Sequence, residues 1–318
     1  MTTIHDDLPH PVPPMAFLRY KENYFFIIVA PESDVFGMAH FNHEPGFERA
    51  RMSCNLSVKG TVYNYSNTIP FPENYELSRE LGDGKLTLAF AAPHQQFDMA
   101  LNSDDLALNI SFTKKHPTFD YGACRTAAPE NISFQESMTL GLNLPYNHQQ
   151  QALLTNGSVT VKASGETVAI KGYGYRDHSW CMRSDNLVLE HDWCGINFPE
   201  RAFGIKTIST RLRPGVRAKE GYTVDAEGPR ALRVIDTERL GKTDQGLPEK
   251  LIHHVADVFG NKYTIEHDVG NRLAQVSLVS EAPAKGGGYR IYENFCRSVI
   301  RETGEQGFSL VELGVAYD

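Results

Sequence analysis

The sequence predicts an all-β protein made of two antiparallel β-barrel or sandwich domains with few short helices. Apolar and polar residues alternate in many short segments, and clusters of Gly, Asn, Asp and Pro bound them, as is typical of strands. The segments follow one another closely, which favours antiparallel meanders over strand–helix–strand units. The clearest strand segments are 24–30, 50–66, 85–91, 105–115 and 157–174.

The chain of 318 residues is long enough for about two domains of ordinary size. A stretch rich in Pro, Asn and Gln interrupts the strand pattern, so we predict β domains at 15–120 and 151–318 and a connection at 121–150. A long antiparallel sheet must close or stack to protect its edges. A closed barrel of about eight strands has room for one small ligand, so the architecture favours a cavity.

The composition excludes several functions. The net charge is −8 and the sequence has no run of Lys or Arg, which argues against binding to nucleic acid or to an anionic membrane surface. No window approaches 18 consecutive apolar residues, so no membrane span is predicted. The first 15 residues lack the basic start and apolar core of a secretory signal.

The cysteines predict neither a disulfide framework nor a thiolate zinc knuckle, because they are scattered and none forms Cys-x-x-Cys. We therefore expect a reduced, cytoplasmic protein. The sequence also lacks a P-loop, a dinucleotide fingerprint and a Gly-x-Ser-x-Gly elbow, and we assign no cofactor. The five cysteines are Cys54, Cys124, Cys181, Cys194 and Cys296.

The stretch "GYGYRDHSWC" (172–181) concentrates residues capable of acid–base chemistry. On a strand, alternate side chains share a face, so His178 lies with Trp180 and Asp177 lies on the other side. "RSDN" (183–186) predicts a hairpin turn. The return strand then carries His191 and Trp193 on one face, so each arm presents a His-x-Trp pair.

These residue types suit proton transfer on an apolar substrate. His exchanges protons near neutral pH, and an adjacent Asp can orient it or act as an acid when desolvation raises the carboxyl pKa. Aromatic faces stabilise a developing carbocation. Around an apolar cavity such groups favour alkene protonation, hydration, dehydration or cyclisation. The alternative is structural, since buried Trp, Tyr and His often only pack and satisfy one hydrogen bond.

"GYGYRDHSW" followed by "HDW" resembles the carotenoid 1,2-hydratase/AttH-like superfamily. Its members carry Gly-x-Gly-x-x-Asp-His-x-Trp-Gly in a pair of lipocalin-like β-barrel domains, and the superfamily is similar to tocopherol cyclase and lipocalin-like Diels–Alderases. The stretch "YENFCRSVIRETGEQGFSLVELG" (292–314) resembles the closing strands of these proteins. The resemblance covers mainly the second predicted domain and implies two lipocalin-like domains.

By motif position, the resemblance implies Asp177, His178 and Trp180 as site residues. The predicted catalytic residues are Asp177, His178, Tyr175, His191 and Glu312, and the predicted substrate-binding residues are Trp180, Trp193, Arg176, Tyr173 and Cys181. The family usually has glycine where this chain has Cys181, whose side chain can narrow a cavity or change the turn. The motif can also be structural, with Asp177 as an anchor between domains.

Two further histidine groups have alternative interpretations. His40 and His43 either face the cavity mouth or lie in a solvated loop before a strand. His253, with Asp257 four residues later, could bind zinc on a helix, whereas paired His253 and His254 are more often surface residues.

The leading hypothesis is a cofactor-independent lyase or isomerase acting on a hydrophobic small molecule of isoprenoid, steroid or polyketide type. Hydration or dehydration is its first reaction, and cyclisation or double-bond migration its second. The first alternative is a non-catalytic carrier of a hydrophobic ligand. The second is a metal-dependent enzyme that uses His178, His191 and His254.

Overall fold

A computed structural model describes residues 4–124, 133, 136, 147–182, 188–279 and 288–317. These residues are mostly in strands, so the predicted all-β fold is confirmed. The helices in this part of the chain are single short 3-10 turns, and none is long and apolar enough to cross a membrane. The turns span Ile4–Asp7, Pro14–Arg19, Pro31–Ser33, Pro45–Phe47, Tyr75–Leu77 and Tyr121–Cys124.

Contacts divide the described chain into two units, and the division differs from the predicted domain boundaries. The first unit contains residues 4–120 and 147–182, and the second contains 121–124 and 188–317. The predicted second domain begins at 151, but residues 147–182 hydrogen-bond into the first sheet. Most of the predicted connection lies outside the described residues.

The first unit is one antiparallel sheet that curls into a half-barrel. Its strand order is β4-β3-β2-β1-β11-β10-β8-β7-β6-β5, and β9 pairs with β10. The strands are β1 (Tyr20–Ala30), β2 (Val35–Glu44), β3 (Arg49–Val58), β4 (Thr61–Pro70), β5 (Glu80–Gly82), β6 (Leu86–Ala92), β7 (Gln96–Asn102), β8 (Leu106–Lys114), β9 (Phe119–Asp120), β10 (Asn147–Val161) and β11 (Glu166–Met182).

The concave side of this sheet holds the core of the first unit. Phe26 on β1 packs against Phe97 and Phe112, with ring centroids 5.3 and 5.0 Å apart. Each such buried aromatic side chain contributes roughly 2–3 kcal/mol. Gly174 on β11 faces the same core, and a Cβ there would lie 2.8 Å from Phe112 and from Thr155. This second glycine of the "GYG" sequence therefore permits the close packing.

The second unit is a closed eight-stranded barrel with one additional strand. The order β17-β16-β15-β14-β13-β12-β20-β19 closes through pairing of β17 with β19, and β18 pairs with β19. The strands are β12 (Val188–Asn197), β13 (Ala202–Thr210), β14 (Arg213–Asp225), β15 (Gly228–Leu240), β16 (Lys250–Asp257), β17 (Lys262–Asp268), β18 (Ala274–Val279), β19 (Gly288–Ile300) and β20 (Gln306–Tyr317).

The barrel core is apolar, and an ionic network surrounds one buried aspartate. Asp192 on β12 is buried and accepts a hydrogen bond from Thr207 at 3.1 Å. Arg217 and Arg239 also contact its carboxylate, and Glu190 pairs with both arginines. The pairing of opposite charges offsets the cost of taking them out of water.

The predicted hairpin between the motif strand and residues 187–193 is wrong. β11 pairs with β1 and β10, whereas β12 pairs with β13 and β20, so the two strands belong to different sheets. The predicted turn at 183–186 lies outside the described residues. His178 and His191 are therefore in different units.

Candidate functional sites

Strand β11 lies inside the first sheet, so its side chains alternate between two faces. Arg176, His178 and Trp180 lie on the face that contains the hydrophobic core. Asp177 and Tyr175 lie on the opposite face, where both contact side chains of β10. This division of faces agrees with the sequence analysis.

The core-facing side contains a carboxylate, Glu22 on β1, that is 0% exposed. It contacts His178 Nε2 at 2.8 Å and His10 Nδ1 at 2.7 Å, and the hydroxyls of Tyr20 and Tyr24 each donate to it at 3.0 Å. Burial tends to raise the pKa of Glu22, but hydrogen bonds and charges from His10 and His178 outweigh it and hold the pKa well below its usual range. We call these five residues the Glu22 cluster.

His178 is fully enclosed in this cluster. Its ring stacks on Tyr24 and Trp180, with centroids 4.0 and 4.6 Å away. Burial lowers its pKa, and the bond to Glu22 opposes that effect only in part. Such enclosure supports the structural interpretation of His178. The catalytic role of His178 stays a prediction.

Arg176 is also buried, in an ion pair with Asp7 from the N-terminal segment. Its Nη1 lies 2.5 Å from Asp7 Oδ1, and its Nε donates to Gln151 at 2.9 Å. The guanidinium lies over the ring of Phe97, 4.7 Å from the centroid. Arg176 was predicted to bind substrate, and these contacts support instead a role in fixing β11 to the N-terminal segment.

On the opposite face, Asp177 forms a part-exposed cluster with β10. Its carboxylate contacts His148 Nε2 and accepts from Gln150 Nε2 at 2.9 Å, and 14% of the Asp177 side chain is exposed. Tyr175 donates its hydroxyl to Gln150 at 2.9 Å. The predicted pair Tyr175 and Asp177 is thus joined through one glutamine. Tyr173 lies farther along β11, with Lys115 Nζ 4.8 Å from its ring centroid.

Cys181 has a backbone φ of 87°, in the region that favours glycine, which explains the family's usual residue. Strain at such a residue costs about 1–3 kcal/mol. We therefore expect Cys181→Gly to be more stable than Cys181→Ala by about 1 kcal/mol, because both lose the sulfur and only glycine relieves the strain. At an ordinary strand position, in contrast, a glycine variant is less stable than an alanine variant. Urea unfolding of both variants checks this, and an alanine variant at least as stable would contradict it.

The second unit brings together two predicted catalytic residues, His191 on β12 and Glu312 on β20. His191 Nε2 contacts the Glu312 carboxylate, and His191 Nδ1 contacts the hydroxyl of Tyr289. The side chains of His191 and Glu312 are 13% and 18% exposed. Glu293 on β19 lies directly across from Glu312. We call Tyr289, His191, Glu312 and Glu293 the His191 cluster.

The two carboxyl groups of this cluster have different environments. Glu293 is buried, and burial together with the charge of Glu312 raises its pKa well above its usual value. A protonated Glu293 avoids the repulsion between two neighbouring carboxylates. Carboxyl pairs whose environments separate their protonation states are typical of acid–base sites.

Two neighbouring residues shape the His191 cluster. Trp193 lies on β12 across from Glu312 and is buried. Gly314 lies across from His191, and a Cβ there would overlap the His191 ring and the Tyr289 hydroxyl. The absence of a side chain at 314 therefore makes room for the contact between His191 and Tyr289.

Sequence reasoning missed Glu22, His10, His148 and Glu293. Glu22 and His178 are separated by 156 positions and meet only through the pairing of β1 with β11. His148 falls in the predicted connection, where no strand was expected. Glu293 lies within the 292–314 stretch that resembles closing strands. Its position across from Glu312 depends on the register of β19 and β20.

The other histidine predictions need correction. His43 lies in β2 and is buried beside Tyr75, so the solvated-loop interpretation is wrong. His253 lies on a strand and not on a helix, and Asp257 binds Arg230, so the His-x-x-x-Asp zinc arrangement is not formed. His254 is 46% exposed, as expected for a surface residue, but His253 is buried, so the surface interpretation is wrong for His253.

Two groups among the described residues each bring three potential metal ligands within 4.8 Å of one another. In the first group, one oxygen of Glu22 already contacts both imidazoles, those of His10 and His178. The second group is Cys194, His253 and His267, all buried in the barrel. Burial lowers the pKa of both of its imidazoles to about 3, so both are neutral near pH 7.

A surface cleft of about 690 Å³ opens on the second unit, but its lining does not suit a hydrophobic ligand. It contains none of the predicted site residues. The lining residues are Lys242, Thr243, Asp244, Gln245, Glu249, Lys250, Asp268, Gly270, Asn271 and Arg272.

Solved structures with a similar fold match nearly the whole chain. A protein described as an AttH from Nitrosomonas europaea has a TM-score of 0.64 at 12% identity, covering 93% of this chain and 92% of that one. Kievitone hydratase from Nectria haematococca has a TM-score of 0.61 at 14% identity, covering 92% and 88%. CghA with Sch210972 has a TM-score of 0.69 at 10% identity, covering 95% and 89%.

At these identities the likeness shows the fold, which is the fold that the resemblance to the AttH-like superfamily predicted. No curated protein matches the chain. One family's sequence model, described as a domain of unknown function (DUF7064), matches residues 3–315. The chain belongs to this DUF7064 family.

Proposed function

We propose that the chain is a cofactor-independent lyase or isomerase that moves protons on a hydrophobic small molecule of isoprenoid, steroid or polyketide type. Hydration or dehydration is its first reaction. The observation that carries the proposal is the His191 cluster, where a part-exposed His–carboxylate contact is backed by a buried carboxyl with a raised pKa. Acid and base side chains suffice for these reactions because no electrons are transferred.

The cluster supplies both proton donor and acceptor. In dehydration, protonated His191 gives a proton to the leaving hydroxyl and the C–O bond breaks. The Glu312 carboxylate takes the proton from the neighbouring carbon as the double bond forms. That proton returns to His191 across their contact, so the cluster ends as it began, and hydration is the reverse.

Glu293, which is buried, supports this cycle. While protonated it is neutral, which leaves Glu312 as the single charged carboxylate that acts as base. Trp193, beside Glu312, offers an aromatic surface for an apolar substrate and for a developing carbocation. The second reaction type, cyclisation or double-bond migration, would use the same groups.

The similar folds also support an enzymatic role of this kind. They include a hydratase and the protein CghA, solved with the compound Sch210972. In this chain, the acid–base groups of the His191 cluster give the main support. The alternative, a carrier, would need a cavity but no proton donor and acceptor in contact.

We expect the wild-type protein, incubated with a lipophilic extract in D2O, to convert compounds in that extract. Mass spectrometry would detect the water or deuterium that these compounds gain. Glu312→Gln and His191→Phe are expected to slow that conversion about 100- to 10,000-fold, because each removes a proton-transfer group. Gly314→Ala keeps every acid and base but displaces His191, so it should also lose most activity. His254→Gln, an exposed histidine outside the cluster, is the matched control.

The outcomes separate the proposal from its rivals. A compound that is retained unchanged, with equal affinity for wild type and Glu312→Gln, would identify a carrier. Full conversion by the His191 cluster variants with loss in Asp177→Asn would move the chemistry to the Asp177 cluster on β11. Circular dichroism confirms that each variant is folded.

A further inference from the structure

Three side chains meet across the interior of the barrel. Cys194, His253 and His267 come from β12, β16 and β17, and all three are buried. In the barrel order, β12 is four strands from β16 in one direction and three from β17 in the other. The ligand atoms nevertheless lie within 4.8 Å of one another, so the side chains converge across the lumen.

The hydrogen bonds of these residues leave one nitrogen unsatisfied. His267 Nδ1 is held by Ser298 Oγ at 2.9 Å and Ser309 Oγ at 3.1 Å, while His267 Nε2 faces His253 Nδ1 at 3.1 Å. Among the described residues, His253 Nε2 has no hydrogen-bond partner although it is buried. The two nitrogens that face each other, His253 Nδ1 and His267 Nε2, are the pair that a metal ion could bridge in place of their hydrogen bond.

We propose that Cys194, His253 and His267 bind one zinc ion in the interior of the barrel. At zinc–nitrogen bond lengths, two nitrogens on a tetrahedral ion are about 3.3 Å apart. The separation of 3.1 Å between His253 Nδ1 and His267 Nε2 is close to that value. Thiolate and imidazole are the ligands that zinc prefers, and the three leave one tetrahedral position for water.

The surroundings match those of a metal ligand set. Histidine ligands are commonly oriented by a hydrogen bond to the other ring nitrogen, as Ser298 and Ser309 provide for His267. The site lies on the opposite side of β12 from His191, so the ion would link three strands apart from the His191 cluster.

The test measures zinc bound to the full-length protein after refolding in zinc chloride. We expect about one zinc per chain and a thermal midpoint raised by roughly 5–10 °C over protein refolded in chelator. Cys194→Ser and His267→Gln should each weaken zinc affinity at least about 100-fold. His254→Gln, the exposed neighbour of His253, should bind zinc like the wild type.

Cobalt provides a readout that does not depend on the variants folding. Cobalt bound to the wild type should show a thiolate charge-transfer band, and X-ray absorption of the zinc protein should show one sulfur and two imidazole ligands. Wild type without zinc after refolding would overturn the proposal. So would bound zinc that has no sulfur ligand or is retained equally in Cys194→Ser.

Discussion

Replacing Asp7 with alanine is expected to lower the free energy of unfolding by about 3–5 kcal/mol, because it leaves the buried guanidinium of Arg176 without its counter-ion. Asp7 is fully buried, and its second oxygen also accepts from the backbone of His94 at 2.5 Å. Asp7, near the start of the chain, thus stabilises β11 at the centre of the sheet. Guanidinium chloride unfolding at pH 7 measures the loss.

The matched control for Asp7 is Asp104→Ala, which removes a carboxylate that is 95% exposed and should cost less than about 1 kcal/mol. A double variant, Asp7→Ala with Arg176→Met, should recover most of the loss, because an apolar pair has no uncompensated charge. If Asp7→Ala proves no more damaging than Asp104→Ala, the buried pair does not anchor β11.

Replacing Glu293 with glutamine is expected to make the protein more stable above pH 5, by an amount that grows with pH. The folded-state pKa of Glu293 is raised, so in wild type this group's contribution is fully present below the unfolded pKa and is lost as pH rises towards the folded one. Over that range the folded state holds one more proton than the unfolded state. Wild-type stability should therefore fall by about 1.4 kcal/mol per pH unit relative to the variant.

Unfolding free energies at several pH values between 5 and 8 measure this slope. Glutamine keeps the shape and donor of a protonated glutamate, so the two proteins should have similar stability near pH 4.5. Glu200→Gln, at an exposed position, controls for the loss of a surface carboxyl. Parallel curves for wild type and Glu293→Gln would show that Glu293 ionises normally and would remove the protonated Glu293 from the proposed mechanism.

Much of the fold could be predicted because alternation of apolar residues reports directly on strands and their buried faces. Arg176 and Asp177 were placed on opposite faces of a strand by this rule alone, and the structure agrees. Local alternation does not report which strands pair, however. The hairpin prediction failed because "RSDN" has the composition of a tight turn, and such residues also suit a link between sheets.

The candidate site was predicted in part for the same reason. His191 and Glu312 were both named, and they are in contact across neighbouring strands. The partners of His178 and Asp177 could not be found, since Glu22 and His148 reach them only through the register of β1 and β10 on either side of β11. Periodicity shows the direction of a side chain, and register determines what it contacts.

The position of β11 between β1 and β10 has a consequence for how the chain is made. Tyr20 pairs with Met182, so the sheet that begins at the N-terminus is completed only after more than half of the chain has been synthesised. Until then, β1 is an unpaired edge on the locally formed β1–β4 meander, and exposed edges of this kind promote association between chains. Closing such a long loop also slows folding. We therefore expect nascent chains that end before residue 182 to depend on chaperones.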